Sequence, residues 1–373
     1  MENMFENKIT AKGYGASGSL ISGETLKLMQ FDRDAPKDNE VLIEVLYCGV
    51  CHSDVHQVEN DWKNTIYPCV PGHEVVGKIT HAGSAVTKFK VGDTVGVGCM
   101  IDSCQSCSAC QEGEEQFCER PQGPTMTYNG YFNADGSGFN TFGGYSTQIT
   151  VKEFFVLSIP GNLNTSAVAP LLCAGITTYS PLKRAGIKKG DKVGIVGIGG
   201  LGHVAVKIAK AMGAEVTAIT TKEEKREAAL QIGADKVLIS DYEGMMKENE
   251  NYFNFILVTI PEPFDVNPYV SLLNYRGSLV TVGLLGEYKK PLNNMEVAKL
   301  GRNVGGSMIG GIAETQEMLD FCSTHHILPD VQMIAMHEIN DAFEKIKNED
   351  VRFRYVIDMA TLKEREHIAY SGL

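Results

Sequence analysis

Cys104, Cys107, Cys110 and Cys118 stand in C-x2-C-x2-C-x7-C spacing. Four thiolates so close along the chain can close a tetrahedron around one zinc ion and fill every coordination position. Such a site is structural, pinning a loop that lacks a core of its own. Cys99, just upstream, falls outside the regular x2-x2 run and is set aside as a ligand. A second set is dispersed: Cys51 in GVCHSDVH, His73 and Glu74 in PGHEVVG, and Cys173 in PLLCAGITTY. Two thiolates and one imidazole leave a fourth position for water or a substrate oxygen, which is the ligand balance of a catalytic zinc. Glu74 could be a transient ligand or a partner of the ligands, and Asp54 could hold the ring of His73 in the tautomer that binds metal.

A third constellation suits a phosphate. Gly197, Gly199, Gly200, Leu201 and Gly202 form G-x-G-x-x-G where the apolar run KVGIVGIGG hands over to LGHVAVKIAKAMG at helical period. Without Cβ atoms the backbone can approach a pyrophosphate, whose charge meets the N-terminus of the helix. An NAD site normally ends its next strand in Asp or Glu, which holds the ribose 2′-hydroxyl. Here that strand ends Thr220, Thr221, Lys222, with Lys225 and Arg226 a turn later and no carboxylate at the decisive place. Hydroxyls and cations suit a 2′-phosphate, so NADP(H) is the expected dinucleotide. The alternative for Lys225 and Arg226 is pairing with neighbouring glutamates. His203 reads as a helix-start residue packed near the cofactor rather than as a catalyst.

The elements that must position these residues are legible in outline. The first 160 residues carry short β-branched runs broken by Gly and Pro, among them VLIEVLYCGV, VVGKITHAG and DTVGVGCM. They predict a largely β domain of barrel-like character. TSAVAPLLCAGITTYSPLKRAG reads as helix, and EVTAIT, EKREAALQIG, KVLIS, NFILVTI, GSLVTVGLL and GGSMIGG continue a βαβ series of about six strands, a doubly wound parallel sheet. Beyond Ala313 the pattern is helix, strand, helix, strand. The expected fold class is therefore α/β. A catalytic domain covers 1–172 and 313–373, with a zinc lobe near 99–120, and a nucleotide domain covers 173–312.

With 373 residues, 43% hydrophobic and 21% charged, the composition is that of a globular protein. A net charge of −12 disfavours nucleic acid or anionic membranes as partners. No run reaches the roughly 20 apolar residues of a membrane span, and no secretory pattern opens the chain. Ten cysteines without such a pattern point to a reducing cytoplasm and to metal ligation.

Together these motifs resemble the zinc-dependent medium-chain alcohol dehydrogenases, and within them the cinnamyl alcohol dehydrogenases and their bacterial NADPH-dependent aldehyde reductase relatives. The resemblance runs nearly end to end, through YPCVPGHEVVGKI, FGGYS, GSMIGGIAETQEMLDF and DVRFRYVID. It implies a GroES-like catalytic domain and a Rossmann domain, two zinc ions per chain, and reversible hydride transfer between primary alcohols and aldehydes, aromatic or broad, with NADP(H). It implies that Cys51, His73 and Cys173 hold the catalytic zinc. It implies also that Ser53 passes the alcohol proton through the nicotinamide ribose hydroxyl to His56. His52 and Arg354 would lie near the pyrophosphate and Ser307 beside the nicotinamide. A homodimer is the usual assembly. Trp62 matches the family's pocket-wall position, although it could equally be a loop anchor. The segment 120–142 is longer than in the plant enzymes and has Met126 where an aromatic is expected, which leaves the substrate open. The alternatives are an NAD-dependent polyol or formaldehyde dehydrogenase and, more distantly, a catalytically silent nucleotide-binding protein.

Overall fold

Alternating Val41, Ile43 and Val45 bury one face of the strand Glu40–Val50, the backbone of the first sheet. The computed structural model describes residues 8–283, 286–348 and 354–362. The first sheet has seven strands. Val331–Ala335, Arg354–Asp358, Glu40–Val50, Val75–Ala82, Thr94–Val97 and Leu157–Ser158 follow in spatial order, and Gln148–Lys152 pairs the first half of Glu40–Val50. The first two strands run parallel and the other pairs antiparallel. Tyr355 stands opposite Val50 in this register, so Arg354 reaches the end of the strand where Cys51 begins.

The second sheet is wholly parallel, in the order Lys236–Ile239, Glu215–Thr220, Lys192–Val196, Phe253–Val258, Leu273–Thr281, Asn303–Gly306. Its inner strands, such as Lys192–Val196 and Phe253–Val258, are nearly continuous apolar runs because helices cover both faces of such a sheet. Ile219, Ile256, Val258 and Leu279 are fully buried in its core. The described residues divide into two units, one within 1–173, 310–323 and 328–373, the other within 174–309 and 324–327.

Three expected elements differ. The helix over TSAVAPLLCAGITTYSPLKRAG is broken into Thr165–Val168, a 3₁₀ turn Ala169–Leu172 and Ala174–Arg184. Pro170 lacks the N–H that a continuous helix needs, and Cys173 leaves helical space at φ −124°, ψ −67°. The last parallel strand is Asn303–Gly306, so most of GGSMIGG is a loop rather than a strand. EKREAALQIG opens with a 3₁₀ turn at Glu223–Lys225 before the helix Arg226–Ile232. The end of GSLVTVGLL (284–285), the start of DVRFRYVID (350–353) and the tail 363–373 lie outside the described residues.

Candidate active site

The dispersed ligands converge. One donor atom each from Cys51, His73, Glu74 and Cys173 lies within 4.8 Å of the others, and all four residues are buried. Each comes from a break in regular structure. Cys51 caps the helix His52–Glu59 at the end of the strand Glu40–Val50, His73 and Glu74 lead into the strand Val75–Ala82, and Cys173 sits in the helix break. Cys51 and Cys173 share a hydrogen bond, which holds the Cys51 thiol well below its usual range against the effect of burial. His73 and Arg354 add to this, and the same bond pushes Cys173 up. Two thiols and an imidazole converging without a disulfide are the donor chemistry of a zinc site.

Asp54 orders this cluster. Its Oδ1 lies 3.0 Å from His73 Nδ1 and accepts the Gly72 N–H at 3.1 Å. Its Oδ2 accepts the Cys51 N–H at 2.9 Å and the Tyr145 hydroxyl at 3.0 Å. A fully buried carboxylate is tolerable only with such satisfaction. With Nδ1 engaged, Nε2 is the ring nitrogen left for a metal. Burial alone would lower the pKa of His73, but Asp54 raises it well above the usual value. Burial, with Asp54 adding, pushes the Tyr145 and Tyr128 phenols up, so both stay protonated. The Tyr128 ring centroid is 5.6 Å from that of His73.

Glu74 is held differently. Its Oε1 accepts a short bond from Arg354 Nη2, and its Oε2 has no hydrogen-bond partner. Burial raises the carboxyl to about 7 although Arg354 pulls it down. Burial lowers Arg354 in turn, but Glu74 more than reverses this. The arrangement engages one carboxylate oxygen with a cation and leaves the other beside the thiols. A Cβ on Gly49 would meet Glu74 Oε2 at 1.9 Å, so only glycine leaves the carboxylate its place.

The other four cysteines also meet, their sulfurs within 4.8 Å of one another. The backbone N–H groups of Cys107 and Cys118's neighbour in space, Cys104, point at sulfur: Cys107 N to Cys104 Sγ and Cys104 N to Cys118 Sγ, each at 3.3 Å. Glu119 N reaches Cys107 Sγ at the same distance. Backbone N–H groups of Ser106 and Cys107 draw the Cys104 thiol down to about 6, whereas burial pushes Cys110 up to about 12. N–H groups converging on sulfur favour thiolate, so this lobe too fits a zinc ion. Glu115 ties the lobe to the helix Ile312–Thr324 by accepting the Ile312 N–H at 2.9 Å. Cys99 stands apart from it, with its thiol against Cys173.

In the second unit, the glycine loop follows the strand Lys192–Val196 and opens the helix Gly202–Ala211. Gly197 has φ +87°, and a Cβ on Gly202 would strike Gly197 O at 1.8 Å. A Cβ on Gly199 would meet no atom within 4 Å, so internal packing does not require glycine there. Gly200 and Leu201 complete the turn, and Thr259 Oγ1 donates to Gly197 O at 2.9 Å. His203 is fully buried, its Nδ1 3.1 Å from Gly199 O. Thr220 is buried at the end of the next strand, Thr221 and Lys222 are exposed and Lys225 is half-buried. Arg226 is engaged by Glu223, with Nη2 to Oε2 at 3.0 Å, so it belongs to the glutamate-paired alternative. Ser307, half-buried, donates its N–H to Thr281 O at 3.1 Å. This donor-rich loop at a helix start fits a dinucleotide pyrophosphate.

Two family models match this chain, the alcohol dehydrogenase GroES-like domain over residues 37–161 and the zinc-binding dehydrogenase over 200–324. Aldehyde reductase YahK of Escherichia coli is 47% identical over 350 residues, which are 94% of this chain and 99% of that protein. The chain belongs to the zinc-binding alcohol dehydrogenases. Mannitol dehydrogenase of Petroselinum crispum is 48% identical over 345 residues, 91% of this chain and all of that protein. A Helicobacter pylori cinnamyl alcohol dehydrogenase solved with NADP(H) superimposes with a TM-score of 0.86 at 42% identity, covering 95% of this chain and 99% of that one.

In this dehydrogenase the helix His52–Glu59 carries His52, Ser53 and His56 directly after Cys51. The rings of His52 and His56 stack at 4.6 Å, and Trp62 lies 5.8 Å from His56. His56 Nδ1 is 2.7 Å from Asp61 Oδ2. Sequence reasoning missed Asp61, Tyr145 and Gly49. Asp61 was findable, five residues beyond a histidine; the other two depend on tertiary contacts that no local pattern announces.

Proposed function

We propose that this enzyme is an NADP(H)-dependent aldehyde reductase and alcohol dehydrogenase acting on aromatic or broad primary alcohols and aldehydes. The convergence of Cys51, His73 and Cys173, with Glu74 engaged by Arg354, carries the proposal. Cys51, His73 and Cys173 as the standing ligands, with Glu74 Oε1 engaged by Arg354, leave a fourth coordination position that substrate oxygen can share with the nearby Glu74 Oε2. When bound, zinc supplies Lewis acidity at that oxygen and NADP(H) supplies or accepts the hydride. Asp54 keeps the proton on His73 Nδ1. His56, held by Asp61, exchanges the alcohol proton with solvent, with Ser53 one turn earlier on the same helix as its donor side. Cys104, Cys107, Cys110 and Cys118 hold a second, structural zinc. Gly197, Gly199, Gly200, Leu201 and Gly202 bind the pyrophosphate. His52 is a further cofactor-binding candidate in the catalytic unit, whereas Arg354, buried against Glu74, serves that ion pair rather than the pyrophosphate role expected of it. Thr220, Thr221, Lys222 and Lys225 receive the 2′-phosphate, and Ser307 lies beside the nicotinamide.

The catalytic role belongs to the unit within 1–173, 310–323 and 328–373, so that Cys173 falls with the other zinc ligands, and cofactor binding belongs to the unit within 174–309 and 324–327. Ten cysteines without a disulfide support a cytoplasmic setting; no helix among the described residues is long and apolar enough to cross a membrane. A homodimer is supported by the family resemblance and by the outer strand Asn303–Gly306, which ends the parallel sheet with an unpaired edge among the described residues.

The likeness to a mannitol dehydrogenase favours one competing reading, NAD-dependent polyol oxidation. A panel of cinnamaldehyde, acetaldehyde and mannitol, each with NADPH or NADH (the oxidised forms for mannitol), decides between them. Our reading expects fastest turnover of an aldehyde with NADPH; preference for mannitol with NAD would replace it.

A further inference from the structure

The loop that carries Trp62 is held from two sides. On the helix side, Gln57 Nε2 donates to Asn64 Oδ1 at 2.9 Å and to Thr65 Oγ1 at 2.7 Å. Asn60 Oδ1 accepts the Thr65 N–H at 3.0 Å. These bonds span only a few residues and form with the turn itself. The other side comes from far along the chain. Asn129, 6% exposed, accepts the Ile66 N–H at 2.7 Å and donates to Asn64 O at 3.1 Å. Asn140 Nδ2 donates to Pro68 O at 2.9 Å and to Ile66 O at 3.3 Å. Both asparagines lie on the long segment after the four-cysteine lobe.

Asn129 also adjoins the metal cluster. It follows Tyr128, whose ring is 5.6 Å from that of His73 and which is itself buried. Asn129 takes φ +65°, a left-handed conformation that asparagine tolerates and most residues resist. That backbone turn places Tyr128 against His73 while the Asn129 amide grips the Trp62 loop. Trp62, half-buried, stands 5.8 Å from His56. Tyr128 beside His73 and Trp62 beside His56 are thus indexed to one another through one dipeptide. Two aromatic rings held one beside His73 and one beside His56 offer the apolar surface that a bulky aldehyde would need.

We propose that Asn129 and Asn140 are positioning residues that fix the Trp62 loop relative to His73, and thereby set how well the enzyme holds a bulky aldehyde. The proposal rests on the aldehyde reductase reading. The physical reason is pre-organisation: a loop already held in its binding geometry loses less entropy when substrate arrives.

Because Trp62 is the only tryptophan, its fluorescence reports the loop directly. Asn129→Gly keeps the left-handed backbone accessible and removes only the amide. Expected are increased acrylamide quenching of Trp62, an unaltered zinc content, and a KM for cinnamaldehyde raised about tenfold, as the loss of two net hydrogen bonds would give. The kcat should fall by less than about threefold and the KM for acetaldehyde should move much less. Asn140→Ala should shift quenching and KM in the same direction, and Asn129→Asp, which keeps the acceptor for Ile66, should restore part of both. Should Asn129→Gly fail to fold, the Asn140→Ala and Asn129→Asp variants decide by the same readouts. Quenching identical to the parent, or KM shifts equal for both aldehydes, would overturn the proposal. If the parent itself turned over no aldehyde, the functional reading would fail while Trp62 quenching still judged the brace.

Discussion

Asp54 shows how much one residue can organise. Four donors converge on a carboxylate that is wholly buried, and one of them is the ring that faces the thiols. Replacing it by Asn would leave an amide unable to accept from all four and would release the tautomer of His73. Asp54→Asn should lower zinc affinity at this site by about 10–100-fold, as loss of such supporting partners typically does; chelator competition measures it, and an affinity equal to the parent would contradict the role. At the nucleotide site the decisive feature is an absence of acid. Thr221→Asp places a negative charge where the 2′-phosphate is expected, and should weaken NADPH by about tenfold or more relative to NADH. Equal loss for both nucleotides in a binding titration would count against that assignment. Residue types and spacing made all seven metal-binding candidates legible, since ligand chemistry allows few substitutes. The Arg354–Glu74 pair was not, because its partners are 280 positions apart in sequence and meet only through the pairing of Arg354–Asp358 with Glu40–Val50.

At the scale of elements, the chemistry sits where regular structure stops. Cys51 begins a helix, His73 precedes a strand and Cys173 interrupts a helix. The interruption was hidden in the sequence because its apolar periodicity persists through the break, and only Pro170 hinted at it. Five of the six parallel strands were readable from apolar runs, whereas the sixth, Asn303–Gly306, short and glycine-rich, was misplaced by a few residues. The glycine loop gives a direct test of strand-to-helix geometry. In Gly202→Ala the new Cβ would lie 1.8 Å from backbone at Gly197, which cannot yield cheaply. The cost should be about 1–3 kcal/mol, seen as a lower melting temperature together with weakened NADPH binding. A variant with parental stability and affinity would show that the turn has more freedom than its geometry indicates.

For the whole molecule, two metal-binding clusters of unlike design share one unit. The compact cluster is built from a single lobe and offers four cysteine sulfurs, whereas the dispersed one draws on segments spread over more than 100 residues, from Cys51 to Cys173. On our proposed function, folding and chemistry are separated: one zinc would stiffen a lobe and the other would serve turnover. Zinc content and NADPH-dependent reduction of cinnamaldehyde, measured together on Cys51→Ala, test this most directly. We expect the parent to hold two zinc ions per chain, one for each cluster, and the variant to keep the structural ion, bind NADPH and lose reduction. Full turnover by Cys51→Ala would contradict the account.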